Sequence, residues 1–293
     1  MEDILESEID SYLEKDWDNI VADIERVVRI ESTEDLPAAA PGAPFGPGPR
    51  AALTEALNIA RDMGFEVHDV DGYVGYADLP GESDTQIGII GHVDVVPAGP
   101  GWTVEPFAVT RREGYLMGRG VIDDKGPVIT TLHAVKFWLD KGEKLPYTIR
   151  IIFGANEETG MDDVPYYRER FADPAFLFTP DAEFPVSYGE KGLYDGAFTS
   201  KRFEGGVLVN IEGGAATNAV PGLAHAIVRA DAAALPQAAG IVVTDEGDGT
   251  ARIDAHGKAA HASLPHLGVS AIDMLVAYLL ENDLLTADER AYF

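Results

Sequence analysis

Ile87-Gly88-Ile89-Ile90-Gly91-His92-Val93-Asp94 is an apolar, β-branched run that ends by delivering a histidine and then an aspartate. Residues 86–90 read as a short buried strand, and a His-x-Asp leaving such a strand has the makings of a metal site. Downstream, Gly118-Arg119-Gly120-Val121-Ile122-Asp123-Asp124-Lys125-Gly126 sets an acidic pair among glycines. Residues 125–141 then place apolar side chains at Val128, Leu132, Val135 and Leu139 and stop at Gly142, which predicts a helix. Residues 148–153 predict a strand, 164–171 a short helix and 175–179 another strand. Strands alternating with helices imply an α/β fold, an open and largely parallel sheet flanked by helices on both faces.

Working outward, residues 4–30 repeat apolar positions at helical spacing (Leu5, Ile9, Leu13, Trp17, Ile20, Ile24, Val27) and predict a long amphipathic helix. Residues 36–49 hold five prolines and three glycines and read as a loop, followed by a helix over 50–63. Strands are expected at 65–70 and 72–77, and a hairpin of 107–111 with 115–118. Beyond residue 189 the pattern changes to Gly-rich strands at 193–202, 206–211 and 224–230, a hairpin of 241–243 with 251–255, and a helix over 269–280. The organisation expected is a domain over 1–189 and a second, α+β domain over 190–293.

With 50 acidic against 22 basic residues the formal net charge is −28. Such a field repels phosphate backbones and anionic lipid surfaces, so nucleic acid and membranes are excluded as expected partners. Most of these carboxylates serve as a solvated face. With no cysteine, a thiolate site is ruled out and any metal must use histidine and carboxylates. The N-terminus has no basic stretch followed by an apolar core, so a cytoplasmic protein is expected.

In open α/β sheets ligands bind beyond the carboxyl ends of the strands. Three predicted strand ends deliver acids or histidine there: His92 and Asp94, Glu157 and Glu158, and Asp181. His92 and Asp94 lie two apart on an extended segment and point to one side, where Asp94 either holds the second imidazole N–H or ligates a metal itself. Of the Asp123-Asp124 pair, one member reaches out while Asp124 caps the helix. Glu157 and Glu158 repel one another, a repulsion that a bound cation relieves while one acts as ligand and the other as base. His261 either is structural or stabilises an oxyanion. The remaining histidines receive no role.

Taken together, Gly91-His92-Val93-Asp94-Val95-Val96-Pro97, the Gly118 to Gly126 stretch, Asn156-Glu157-Glu158-Thr159-Gly160, Pro180-Asp181-Ala182-Glu183-Phe184-Pro185 and Gly189-Glu190-Lys191-Gly192 resemble the M20 metallopeptidases, and among them the PepV-type bacterial dinuclear zinc dipeptidases. Asn218-Ala219-Val220-Pro221 and His261-Ala262-Ser263-Leu264-Pro265 resemble that family's lid. The resemblance implies a zinc-peptidase-like catalytic domain over 1–189 and a partial lid over 190–293. It implies that His92, Asp123 and Asp181 hold a first zinc, and that Asp123 bridges to a second held also by Glu158, with manganese or cobalt as other metals. Asp94 orients His92, Glu157 is the general base toward water, His261 polarises the scissile carbonyl and Asn218 contacts the substrate, a small peptide.

Chains of this kind are longer, their catalytic domain resuming after the lid to supply a last zinc-binding histidine. Ending at Phe293, this chain is expected to lack one ligand of the second zinc, to bind one metal better than two, and to show little or no peptidase activity in isolation. The alternatives are an N-acyl amino acid amidohydrolase of the same family and a non-catalytic metal- or peptide-binding fragment. Oligomeric state stays open.

Overall fold

The computed structural model describes residues 2–99, 101–182, 185–189, 192 and 196–293. The chain divides into two compact units, Met1–Ser187 and Tyr188–Phe293. In the first, α1 (Glu2–Val28), α2 (Pro47–Asp62), β1 (Glu66–Val70), β2 (Val74–Leu79), β3 (Gln86–His92), β4 (Thr110–Arg112), β5 (Tyr115–Met117), α3 (Lys125–Lys141), β6 (Thr148–Gly154), α4 (Asp163–Arg168) and β7 (Phe176–Phe178) follow one another. Strands β1, β2, β6, β3 and β7 form one five-stranded sheet in that spatial order. β6, β3 and β7 run parallel, whereas β1 and β2 are antiparallel additions on one side.

Alternation along β6 explains why this strand is central. Ile149, Ile151 and Phe153 join one apolar core with Ile24 and Val28 of α1, Leu53 and Leu57 of α2, and Ile129 and Leu132 of α3. Ile152 points the other way and packs with Val70, Val74, Tyr76 and Tyr167. A strand covered on both faces can be apolar throughout, and from Ile149 to Gly154 no residue of β6 is exposed. Arg150 is the one charge admitted: its guanidinium forks onto Asp78 at 2.8 and 2.7 Å and lies 3.8 Å from the Tyr76 ring centre.

Several local expectations need correction. The proline-rich segment is not wholly irregular: Leu36–Ala38 is a 3-10 turn, and α2 begins at Pro47 rather than 50. A proline costs nothing in a first helical turn, where its missing N–H has no partner to lose. The hairpin of β4 and β5 is tighter than expected, with Glu113 and Gly114 both at positive φ. Residues 196–202 form no strand, and 193–195 lie outside the described residues, as do Glu183 and Phe184 of the Asp181 motif and Glu190 and Lys191.

In the second unit, β8 (Leu208–Gly213), β10 (Leu223–Val228), β11 (Ile241–Asp245) and β12 (Ala251–His256) make an antiparallel sheet, while β9 (Ala219–Val220) and β13 (Ala260–His261) pair separately. Helix α5 (Ala271–Glu281) packs Leu275, Tyr278 and Leu279 against Ala226, Val228 and Ile253. A short α6 (Ala287–Tyr292), closed by a Thr286–Glu289 capping box, is an element that periodicity did not suggest. Among the described residues no helix is long and apolar enough to cross a membrane.

Candidate metal centre

Register explains why residues far apart in sequence meet. Gly91 and His92 of β3 stand opposite Phe153 and Gly154 of β6, while Ile89 stands opposite Phe178 of β7, so the carboxyl ends of three parallel strands lie side by side. His92 closes β3, Glu157 and Glu158 follow β6, and Asp181 follows β7. Asp123 enters from the turn before α3, across a cis Asp123–Asp124 peptide.

The buried His92 imidazole is the hub. Its Nε2 lies 3.0 Å from Asp123 Oδ1, 3.6 Å from Asp181 Oδ2 and 3.9 Å from Glu157 Oε2. Its Nδ1 faces the Asp94 carbonyl at 3.1 Å and Asp94 Oδ1 at 3.3 Å. Asp94 also has a use that sequence reasoning missed: its two carboxylate oxygens accept the backbone N–H groups of Glu157 and Glu158, each at 3.1 Å. One buried aspartate therefore sets both the imidazole and the loop bearing the acidic pair.

Asp124 departs from its expected role. It occupies the N-cap position of α3, yet its side chain caps nothing there. Instead Oδ2 accepts the His92 backbone N–H at 3.1 Å, and the residue is fully buried. The glycines flanking these aspartates make room for this. A β-carbon at Gly91 would sit 2.3 Å from Asp124 Oδ2, and one at Gly126 would sit 1.9 Å from the Val121 carbonyl oxygen. Neither neighbour can yield without moving the turn that carries Asp123.

Crowded acids make the electrostatics distinctive. Burial by itself would lower the His92 pKa, but its contacts with Asp123, Asp181 and Asp94 outweigh burial and raise it far above the ordinary histidine value. Burial, reinforced by the Asp123 charge, pushes Glu158 up to about 7, and Glu157 is raised for the same first reason. Burial pushes Asp124 up to about 8 and the Lys125 ammonium down to about 7. Without a cation His92, Asp124, Glu157 and Glu158 hold protons that they would otherwise release, whereas the buried Lys125 ammonium gives its proton up more readily.

Among the described residues, His92, Asp123 and Asp181 form the group able to hold a metal ion, with one ligand atom from each lying within 4.8 Å of the others. An imidazole nitrogen with carboxylate oxygens and no sulfur suits zinc, manganese or cobalt. The excess of carboxylates around one histidine fits a divalent cation that would neutralise them. Glu158 is outside that group, half-buried beside it. His261 and Asn218 are brought together in the second unit: His261 pairs with Ala219, and the Asn218 carbonyl accepts the Ala262 N–H at 2.8 Å. His261 is exposed, its Nδ1 2.7 Å from Ser263 Oγ.

A family model described as peptidase family M20/M25/M40 matches residues 88–271, more than half of the chain. The chain is 33% identical over 287 residues to the protein YtjP of Bacillus subtilis (strain 168), covering 93% of this chain and 62% of that one. It is 35% identical over 275 residues to the Beta-Ala-Xaa dipeptidase of Lactobacillus delbrueckii subsp. lactis, covering 89% of this chain and 58% of that protein. It thus spans about three-fifths of the length of these curated relatives. In structure it resembles human carnosine dipeptidase 1, with a TM-score of 0.51 and 26% identity over 60% of this chain and 41% of that one.

Proposed function

This chain belongs to the M20/M25/M40 peptidase family, and from that premise we propose that it serves metal-dependent hydrolysis of dipeptides. The observation that carries the proposal is the convergence of His92, Asp123 and Asp181, with the Glu157 carboxylate 3.9 Å from His92. In this reading those three residues hold a first zinc, and Asp123 and Glu158 face a second. A cation so held supplies Lewis-acid polarisation of the scissile carbonyl and acidifies water.

The chain's own residues do the rest. Glu157, raised above the usual carboxylate range by burial, accepts a proton from the attacking water and returns it to the leaving amine. Asp94 fixes the imidazole tautomer and the direction of the Glu157 loop. In the second unit, His261 and Asn218 are assigned to the substrate, His261 as donor to the carbonyl oxygen.

Relatives named for β-alanyl dipeptides and carnosine suggest the substrates to test first. The zinc-loaded chain is incubated with free dipeptides, a β-alanyl one included, and with N-acyl amino acids, and the products are separated. Free amino acids from the dipeptides are the expected products, formed slowly at most by the 293-residue chain alone. Release of acyl groups alone would move the assignment to an amidohydrolase, and zinc binding without any cleavage would make the chain a binder.

Metal binding is also expected to release protons. His92 carries a proton among its acids, and a cation must displace it. Because the raised groups are protonated below their folded pKa values, zinc affinity rises with pH through about 7, the value for Glu158. The dependence is about tenfold per pH unit for each proton displaced. Calorimetry in buffers of different ionisation enthalpy measures the release; a pH-independent affinity between 6 and 8 is the contrary result.

A further inference from the structure

The segment shortly after α1, residues 30–34, touches three of the stretches of chain around the metal centre: those that carry Asp94, the start of α3, and Glu157 with Glu158. The Ile30 carbonyl accepts Lys125 Nζ at 2.7 Å at the start of α3. Ser32 donates its hydroxyl to the Val93 carbonyl at 2.7 Å, and its own carbonyl accepts the Val95 N–H at 3.2 Å, flanking Asp94 on both sides. Glu34 Oε1 accepts Asn156 Nδ2 at 2.8 Å and Thr159 Oγ1 at 2.9 Å, bracketing Glu157 and Glu158. We propose that residues 30–34 brace the metal centre, and that Glu34 is a positioning residue for the loop bearing Glu157 and Glu158.

The physical case rests on what that loop must resist. Glu157 and Glu158 are neighbours, and Asp94 and Asp123 add like charge beside them, so repulsion drives the loop outward. On its inner side the loop is held by Asp94, through the Glu157 and Glu158 N–H groups. On its outer side Asn156 is the pivot: its Oδ1 accepts the Asp162 N–H at 3.1 Å, and its amide nitrogen reaches Glu34. Asp94 is shared with His92, and Asp163 holds only backbone N–H groups there, those of Ala155 and Asn156, so Glu34 is the anchor of the loop's side chains that leaves the imidazole undisturbed. Its function is to accept two hydrogen bonds at one oxygen, which a glutamine does equally well without the charge.

The inference rests on the proposed hydrolysis only in its turnover arm. Glu34→Ala and Glu34→Gln are compared in the 293-residue chain. In Glu34→Ala, amide exchange of residues 156–162 accelerates about tenfold or more, while zinc affinity at His92, Asp123 and Asp181 is unchanged, because Glu34 bonds to Asn156 and Thr159 rather than to those residues. Dipeptide turnover falls about 10–100-fold, and Glu34→Gln restores both exchange protection and turnover. Thr159→Val removes one of the two donors and also the hydroxyl that accepts Asn156 Nδ2 at 2.7 Å, so it accelerates exchange at least as much, and Glu34→Leu, which fills the space without an acceptor, decides the matter if Glu34→Ala does not fold. Unchanged exchange in Glu34→Ala and Thr159→Val, or a Glu34→Gln chain that behaves like Glu34→Ala, would overturn the proposal. If no peptide is cleaved by any version, the hydrolytic reading fails while exchange still decides the role of Glu34.

Discussion

A His92→Ala chain binds zinc at least about a hundredfold more weakly than the parent. The substitution removes the only nitrogen from the candidate ligand group and leaves Asp123 and Asp181, which are partly solvated and easily satisfied by water. It also removes the partner of the Asp94 carbonyl and of a carboxylate whose side chain is only 3% exposed. The carboxylate keeps the Glu157 and Glu158 N–H groups, but leaving the buried carbonyl without the imidazole costs about 1–3 kcal/mol, so the metal-free variant melts at a lower temperature. The sign of its pH dependence follows from the raised pKa of His92. The imidazolium stabilises the fold fully below its unfolded pKa and progressively less as pH climbs toward the folded value, so the stability gap between parent and variant narrows in alkali. Zinc competition against a chromophoric chelator, with thermal melts across pH, measures both; zinc affinity unchanged in the variant would remove His92 from the site.

On the proposed hydrolysis, Glu157→Gln is expected to lower dipeptide turnover about 10²–10⁴-fold while keeping zinc affinity within a few-fold. Glutamine preserves the shape and the backbone hydrogen bond from Glu157 to Asp94, so the loop stays in place. What is lost is the proton acceptor. Separating the two measurements matters because Glu157 Oε2 is close enough to His92 to be mistaken for a ligand. If turnover and zinc affinity fall together, Glu157 is a ligand and the base must be sought elsewhere. A turnover unaffected by the substitution would remove it from the reaction altogether.

How far the site was legible before folding depended on the kind of signal. His92, Glu157 and Asp181 stand out because strands end abruptly and polar residues follow apolar runs, and Asp123 because an acidic pair sits among glycines before a helix. Asp124 was misread because an aspartate before a helix normally caps it, and nothing local reveals that its carboxylate turns toward the His92 N–H. The glycines at 91 and 126 were visible as framing residues, but the atoms they make room for were not. Glu34 and Ser32 gave no signal at all, sitting beside a proline-rich loop that reads as irregular. The antiparallel placement of β1 and β2 was likewise hidden, since alternation predicts a strand and says nothing of its direction.

The sequence by itself determined the alternation of strands and helices, the apolar faces that fill the core, and a candidate nitrogen and oxygen ligand set delivered at strand ends and before a helix. Those properties are local, written in periodicity and in residue chemistry over a few neighbouring positions. Only the tertiary structure decided that β6, β3 and β7 lie adjacent and parallel, that His92 meets Asp123 and Asp181 around one point, and that residues 30–34 reach the stretches carrying Asp94, the start of α3 and Glu157 with Glu158. Hydrogen bonds spanning more than a hundred residues, such as that from Asn156 to Glu34, depend on burial and register. Packing of the whole unit sets these, and no short stretch of chain encodes them.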